Sequence, residues 1–485
     1  MSSTPLTHPW SEEAERAVLS VLLTDERHAP EALDIVRDPE MFYAGAHRIV
    51  FEAVLEVVAR GERIDFTTIV AELRARNRLD AIGGLTWLSG LVNATPAVAH
   101  VATHARIIRD RYQARRVAEV CAGAVAEVGS DYGTATELLS RTAQRLADIS
   151  DASESRMSAL GDEGDAVFEE MHEQWDGKRD PWGVRGTIGL LHALTHGYGL
   201  GQVIVIASTS GGGKSLFALQ ESLGIAGTAY GRDENGNPER VGVAYLSFEL
   251  PRKQIYRRAL VRTTHVLGDP SGIRGWTQHE LATGRNAVTG ERIADGQDNR
   301  GFLLEEARKR LRTLPIEVDD QRTDIAGVRL AVLRAQSRLR RRGSRLRLVV
   351  LDHLHLLKLP RGAKMREDEA IAEAVAELKS IAVDTNSCVF VLAQYKREAI
   401  AAMRAGRRPV MDDLKGASAI EQIADKVLCL HRPWTLDPKR ESYDEDTARK
   451  KSREAEALLV KHRDGAEGSV ALDFLGAHQT FREAT

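Results

Sequence analysis

Ala207-Ser-Thr-Ser-Gly-Gly-Gly-Lys-Ser215 sets three consecutive glycines directly before a lysine and a hydroxyl residue. The apolar run Val203-Ile-Val-Ile206 leads into it, and Leu216-Phe-Ala-Leu-Gln220 follows with a helical pattern. A strand, a glycine-rich turn and a helix N-terminus in that order make a seat for a nucleoside triphosphate. Backbone N–H groups of such a turn, here over Ser210, Gly211, Gly212 and Gly213, point at phosphate oxygens. The lysine neutralises the β- and γ-phosphates and the hydroxyl ligates Mg²⁺. Lys214 and Ser215 take those roles, so a nucleoside triphosphate and Mg²⁺ are the expected ligands. The usual pattern would carry a glycine at Ser208; the match therefore rests on Gly213-Lys214-Ser215 and the extra glycines beside them.

Further chemistry sits at the ends of other apolar runs. Arg347-Leu-Val-Val-Leu-Asp352 ends in an acid that can hold Mg²⁺ through water opposite a phosphate loop. Val243-Ala-Tyr-Leu-Ser-Phe-Glu249 ends in a second acid, one strand after the phosphate-loop helix. A carboxylate there can accept a proton from the water that attacks the γ-phosphate. Val389-Phe-Val-Leu-Ala-Gln394 ends in an amide that either senses the γ-phosphate or merely caps its strand.

Basic segments follow. Tyr395-Lys-Arg397, Arg404-Ala-Gly-Arg-Arg-Pro409 and Asp413-Leu-Lys-Gly-Ala-Ser418 have the composition of loops that contact phosphate backbones, with Lys396, Arg397, Arg407, Arg408 and Lys415 as the cations. Tyr395 is their single aromatic, so the grip falls on backbone rather than bases. Lys461-His-Arg463-Asp-Gly-Ala-Glu-Gly468 is a turn between two strands; it is either an arginine finger aimed at a neighbour's γ-phosphate or an exposed charged hairpin. The cluster Arg338, Arg340, Arg341, Arg342, Arg345 and Arg347 lies before the Asp352 strand, away from the phosphate site, and reads as a solvated or inter-subunit surface.

These residues need scaffolds. Trp10 to Ile149 is helical in pattern, with Ser11 as N-cap and amphipathic segments at Ala46–Ala59, Phe66–Arg76, Leu85–Val92, Ala99–Val120 and Thr134–Ile149. Polar breaks at Asp151–Ser155 and Asp176–Gly183 flank a lone amphipathic helix, Leu160–Trp175, which must bury its face on a neighbouring subunit or on the next domain. From Trp182 onward apolar runs at Val203–Ala207, Val243–Phe248, Leu346–Leu351, Val389–Ala393, Lys426–Leu430, Leu458–Lys461 and Ser469–Phe474 predict a mostly parallel α/β sheet with a hairpin edge. Tyr230–Gly242 and Gly268–Gly301 read as surface insertions, the second long enough to be mobile or functional. The expected domains are 1–150, a linker at 151–181, and 182–485.

With 485 residues the chain exceeds one core, and its 67 basic against 70 acidic residues predict no partner from bulk charge. Cys121, Cys388 and Cys429 lie far apart in apolar runs, the pattern of buried free thiols in a reducing compartment. No membrane-spanning run or signal peptide is present, so the protein reads as cytoplasmic.

Read together, these segments resemble a DnaB-type replicative helicase. The helical part is similar in Glu12-Glu-Ala-Glu-Arg-Ala-Val-Leu19, Met41-Phe-Tyr, His47-Arg-Ile-Val-Phe51, Gly61-Glu-Arg-Ile-Asp65 and Ile82-Gly-Gly84. The second half is similar in Ser247-Phe-Glu-Leu-Pro251, Asp352-His-Leu-His355, Ala393-Gln394, Asp413-Leu-Lys415, Ala419-Ile-Glu-Gln422 and Lys461-His-Arg463. The resemblance implies an all-α N-terminal domain joined by a linker helix to a RecA-like P-loop motor. It implies a homohexameric ring on single-stranded DNA, with primase and helicase loader as candidate partners. Glu249 would activate water, Gln394 would couple the γ-phosphate to DNA loops near Lys415, and Lys461 and Arg463 would act in trans. Ser210 stands where the family usually has Pro, His355 where it has Gln, and Lys415-Gly-Ala-Ser418 where it has Arg-Glu-Ser-Gly. These departures fit a divergent phage- or plasmid-type copy. Two rival readings are a slow ATPase serving as loader or scaffold, against which Glu249 argues, and a filament-forming repair or recombination ATPase, against which the helical domain argues.

Overall fold

The computed structural model describes residues 8–25, 28–92, 100–130, 132–151, 164–177, 183–232, 237–287, 289–290, 292–293, 300–357 and 367–484. The chain divides into two compact units, Met1–Gly164 and Asp165–Thr485.

The first unit is built from α1 (Glu12–Thr24), α2 (Ala29–Ile35), α3 (Gly45–Ala59), α4 (Phe66–Ala75), α5 (Gly84–Val92), α6 (Val101–Val128) and α7 (Ala135–Asp151). Ser11 caps α1 as expected, its hydroxyl accepting from Ala14 N at 3.3 Å. The motif residues of this half turn out to be architectural. The buried Glu15 carboxylate accepts from Tyr43 N at 2.7 Å and pairs with His47 Nδ1 at 2.6 Å. Buried Arg115 donates to Met41 O at 2.7 Å. A satisfied polar group inside an apolar core fixes one packing of the helices, since leaving it unpaired is costly. Cys121 corrects the expectation of burial: it lies on the distal part of α6, where Val117, Val125 and Val128 are exposed as well.

The helix α8 (Gly164–Trp175) is the described part of the lone helix expected at Leu160–Trp175; residues 152–163 and 178–182, on which most of both expected breaks fall, lie outside the described residues. Then follow α9 (Gly189–Thr195), β1 (Val203–Ser208), α10 (Lys214–Ile225), β2 (Ala229–Arg232), β3 (Pro238–Ser247), α11 (Arg252–Gly268), α12 (Gln278–Thr283), α13 (Gly301–Thr313), β4 (Ile316–Asp319), α14 (Ile325–Arg341) and β5 (Ser344–Asp352). The remainder is α15 (Glu367–Asp384), β6 (Cys388–Gln394), α16 (Arg397–Arg404), α17 (Ala417–Ile423), β7 (Lys426–His431), α18 (Glu445–Arg453), β8 (Glu454–His462), β9 (Gly468–Leu475) and β10 (Thr480–Glu483). One sheet runs β10-β9-β8-β7-β1-β6-β5-β3-β2, with β4 also beside β3. Strands β7, β1, β6, β5, β3 and β4 are parallel, and β8, β9, β10 and β2 join antiparallel.

Alternation along β1 explains why its sequence is apolar throughout. Val203, Val205 and Ala207 enter one core with Val375 and Leu378, while Ile204 and Ile206 enter the other with Phe217 and Ile225. A parallel strand covered by helices on both faces has no polar side. Two expectations change here. Tyr230–Gly242 is largely the β2–β3 hairpin rather than an insertion: Ala229 pairs with Arg240, and Val241 is buried. Within Gly268–Gly301 the described residues are tied down rather than loose. Trp276 Nε1 donates to Arg300 O at 3.0 Å, and the fully buried Glu280 is clasped by Arg274 and Arg300. Arg347 likewise leaves the predicted surface cluster; it is buried, donating to Glu239 at 2.7 Å and to Asn386 O at 2.9 Å.

Candidate nucleotide site

Parallel strands deliver their C-terminal ends to one edge of the sheet, where open α/β sheets bind ligands. Ser208 ends β1 in register with Gln394 of β6, and Asp352 ends β5 in register with Ser247 of β3. Between β1 and α10 the chain turns through Gly211 at φ +74° and Gly213 at φ +102°, values that favour glycine. A side chain at Gly212 would strike Ser208 Cβ at 2.8 Å, and one at Gly213 the Phe481 ring at 2.6 Å. Backbone and helix N-terminus are thereby left bare toward a phosphate. Ser208 is not among the residues with positive φ, so losing a glycine there costs no backbone strain. Ser210 is exposed at the tip of the turn.

Lys214 is buried at the start of α10, with Nζ 3.8 Å from Glu249 Oε2, whose side chain is 44% exposed. Asp352 is fully buried. Tyr245 O–H donates toward Asp352 Oδ2 at 3.3 Å and lies equally far from Ser215 O. Burial pushes the Asp352 acid above its ordinary range, while the Ser215 hydroxyl and the Lys214 cation pull it back down. The other oxygen, Oδ1, is buried without a hydrogen-bond partner. An orphaned carboxylate oxygen beside a serine hydroxyl and a lysine suits a small hard cation that takes oxygen ligands. No group of three or more His, Cys, Asp or Glu among the described residues could hold a metal unaided.

Gln394 reaches a residue the sequence reading passed over. Its Nε2 lies 3.3 Å from His353 Nε2, and the same ring nitrogen is 3.7 Å from Glu249 Oε2. Burial, then the Lys214 charge, pulls the imidazole down to about 4, so the ring is neutral at pH 7. Arg432 was also missed. It is buried, with Nη1 donating to Gly211 O at 3.2 Å and its guanidinium 3.6 Å from the centre of the Phe474 ring. The strand β10 joins in as well: Gln220 of α10 donates to Phe481 O at 2.9 Å and accepts from Phe481 N at 2.8 Å.

The basic residues separate into two groups. Lys396, Arg397, Arg407, Arg408 and Lys415 gather in the loops after β6. Asp413 organises them, its carboxylate accepting from Arg407 at 2.6 Å and Val410 N at 2.8 Å, and its carbonyl from Lys396 N at 2.8 Å. Lys415 N donates to Gln394 O at 3.1 Å. Arg408 is paired with Glu456 at 2.9 Å, while Arg397 is exposed at the start of α16. Lys461 and Arg463 lie at the other edge. Lys461 is in register with Val427 near the start of β7, and Arg463 pairs with Asp425 at 3.3 Å and donates to Gln422 O. From there neither cation reaches its own chain's phosphate loop.

Residues 183–483 match the DnaB-like helicase C terminal domain family, and residues 7–110 the DnaB-like helicase N terminal domain family. The replicative DNA helicase DnaB of Geobacillus stearothermophilus is 27% identical over 478 residues, covering 98% of this chain and 94% of the relative. The replicative DNA helicase DnaC of Bacillus subtilis is 25% identical over 479 residues, with the same coverage of 98% and 94%. A solved DnaB-like replicative helicase, described together with its interactions with primase, is similar in fold at TM-score 0.63 and 22% identity, over 98% of this chain and 100% of that one.

Proposed function

Because the chain belongs to the DnaB-like helicase family, we propose that it is an ATP-dependent replicative DNA helicase, with a helical N-terminal domain and a RecA-like motor. The observation that carries this is convergence: Lys214, which opens α10, faces Glu249 at 3.8 Å, and buried Asp352 ends β5, the neighbour of the strand β3 that leads to Glu249.

The residues divide the work as follows. Backbone N–H groups from Ser210 to Gly213, with Lys214, hold and neutralise the β/γ-phosphates of ATP. Ser215 and Asp352 would hold Mg²⁺, which would offset the negative charge of the phosphates. Glu249, partly exposed, accepts the proton of the attacking water, and Gln394 touches the γ-phosphate side. Lys461 and Arg463 serve a neighbouring subunit's nucleotide, a role supported by their distance from their own. The ring is a homohexamer around single-stranded DNA, gripped through Lys396, Arg397, Arg407, Arg408 and Lys415. A primase is a candidate partner because the related solved structure is described with one. We assign 1–150 to the helical domain, 151–181 to the linker and 182–485 to the motor, working in the cytoplasm; no helix among the described residues is long and apolar enough to cross a membrane. A loader or scaffold that barely hydrolyses is disfavoured by the placement of Glu249, and a repair filament by the N-terminal family match.

The test is phosphate release and strand separation by the purified chain, each with and without single-stranded DNA. Glu249→Gln should lower turnover by about 10²–10⁴-fold while leaving nucleotide binding intact. Native mass measurement should give six subunits. A ring that assembles yet neither hydrolyses nor unwinds would refute the helicase reading.

A further inference from the structure

We propose that His353 is a positioning residue that passes the state of Gln394 to Glu249. The inference rests on the ATPase reading above and names a coupling inside that site. Three neighbouring strand ends supply its members: Gln394 closes β6, His353 follows β5, and Glu249 follows β3.

One ring nitrogen faces both neighbours. His353 Nε2 lies 3.3 Å from Gln394 Nε2 and 3.7 Å from Glu249 Oε2, on a side chain only 7% exposed. Nδ1 is buried and has no hydrogen-bond partner, so nothing among the described residues fixes which ring nitrogen carries the proton. The two neighbours make opposite demands. With the proton on Nδ1, Nε2 accepts from the Gln394 amide and gives Glu249 nothing. With the proton on Nε2, it donates to the Glu249 carboxylate and can no longer accept from the amide. Moving Gln394 away therefore frees Nε2 to take a proton from water as Nδ1 gives one up to it, and the ring then holds Glu249 with no change of net charge. Gln394 is itself tied to the basic loops, its carbonyl accepting from Lys415 N at 3.1 Å, and Lys396, two residues on, donates through its N–H to Asp413 O at 2.8 Å. Displacement of those loops has a short route, through an amide and an imidazole, to the carboxylate that handles water.

The experiment compares kcat and KM for ATP, with and without single-stranded DNA, for the full chain carrying His353→Phe, His353→Asn or His353→Gln. Phe fills the slot without polar atoms, Asn stops near Nδ1, and Gln reaches the Nε2 position and can accept and donate at once. Phe and Asn should lower the DNA-stimulated kcat by about ten- to a hundredfold, the scale of a misplaced catalytic group. KM should stay within about twofold, and Gln should restore most of the rate. If Phe does not fold, Asn against Gln carries the same comparison. The double variant His353→Asn with Gln394→Ala should be no slower than the worse single change. A purely packing role predicts that Phe outperforms Gln, and that order, or rate losses that multiply in the double variant, would overturn the proposal. A wild-type chain without hydrolysis would instead sink the helicase reading, and the coupling with it.

Discussion

Arg432→Met probes a support of the phosphate loop that lies 221 residues downstream of Gly211. Nη1 donates to Gly211 O at 3.2 Å, Nη2 to Ser452 O at 3.4 Å, and the cation stacks on Phe474. Two hydrogen bonds from a charged donor, at about 1.5 kcal/mol each, and a desolvated cation–π contact, at about 2, contribute roughly 5 kcal/mol. Burial opposes them. It pulls the guanidinium well below its ordinary range, to about 10, a cost of about 3 kcal/mol. The difference predicts a loss of about 2 kcal/mol when the head group is replaced by an apolar side chain of similar bulk, seen as a melting temperature lower by about 3 °C. Freeing the Gly211 carbonyl should also blur the arrangement of N–H groups, raising the Kd for a fluorescent ATP analogue by about tenfold, or about 1.4 kcal/mol. Arg432→Lys, which cannot fork to two carbonyls, should fall between. Wild-type nucleotide affinity in a destabilised Met variant would refute the claim that Arg432 shapes the loop, and unchanged stability would refute the energetic reasoning.

Gly213→Ala places a methyl group 2.6 Å from the Phe481 ring at a φ of +102°. It should cost about 1–3 kcal/mol in backbone strain alone and abolish nucleotide binding, with Phe481→Ala relieving only the clash; calorimetric titration of both decides. Arg397→Ala should make the slope of log K against log salt for single-stranded DNA shallower by about 0.7, as fluorescence anisotropy across a salt series will show; an unchanged slope removes Arg397 from the DNA surface. Acid should weaken the second unit. Burial pulls His265, stacked on His478 at 4.5 Å, down to about 4 from 6.5. Between those values the unfolded chain binds the proton more readily, so this stability is present above pH 6.5 and is lost as pH falls toward 4. Melting at stepped pH should show a flatter decline for His265→Phe than for wild type, and identical declines would exclude this histidine as a cause.

The expected strands were legible because parallel strands covered on both faces are uninterrupted apolar runs, as Val203–Ala207 is. The four-residue strands β2 and β4 carry polar residues at the edge region of the sheet and gave no such signal. Strand-terminal positions were legible for the same reason: Asp352, Glu249 and Gln394 stand where apolar runs stop. What stayed hidden depends on partners remote in sequence. Nothing local marks Arg432 as a neighbour of Gly211, or His353 as lying between Gln394 and Glu249. The density of cations after β6 was visible, yet the pairing of Arg407 with Asp413 and Arg408 with Glu456 was not. Trp276 and Glu280 looked like insertion residues until their contacts with Arg300 tied that segment down.

The clasp between Gln220 and Phe481 joins positions 261 residues apart. During synthesis the glycine-rich loop leaves the ribosome long before the aromatic ring that backs it, by roughly a quarter of a minute to a minute at about 5–20 residues per second. Throughout that interval the nascent motor has its lysine and serine but not the wall behind Gly213. A chain released short of Phe481 would enter the cell without the ring that lies against Gly213.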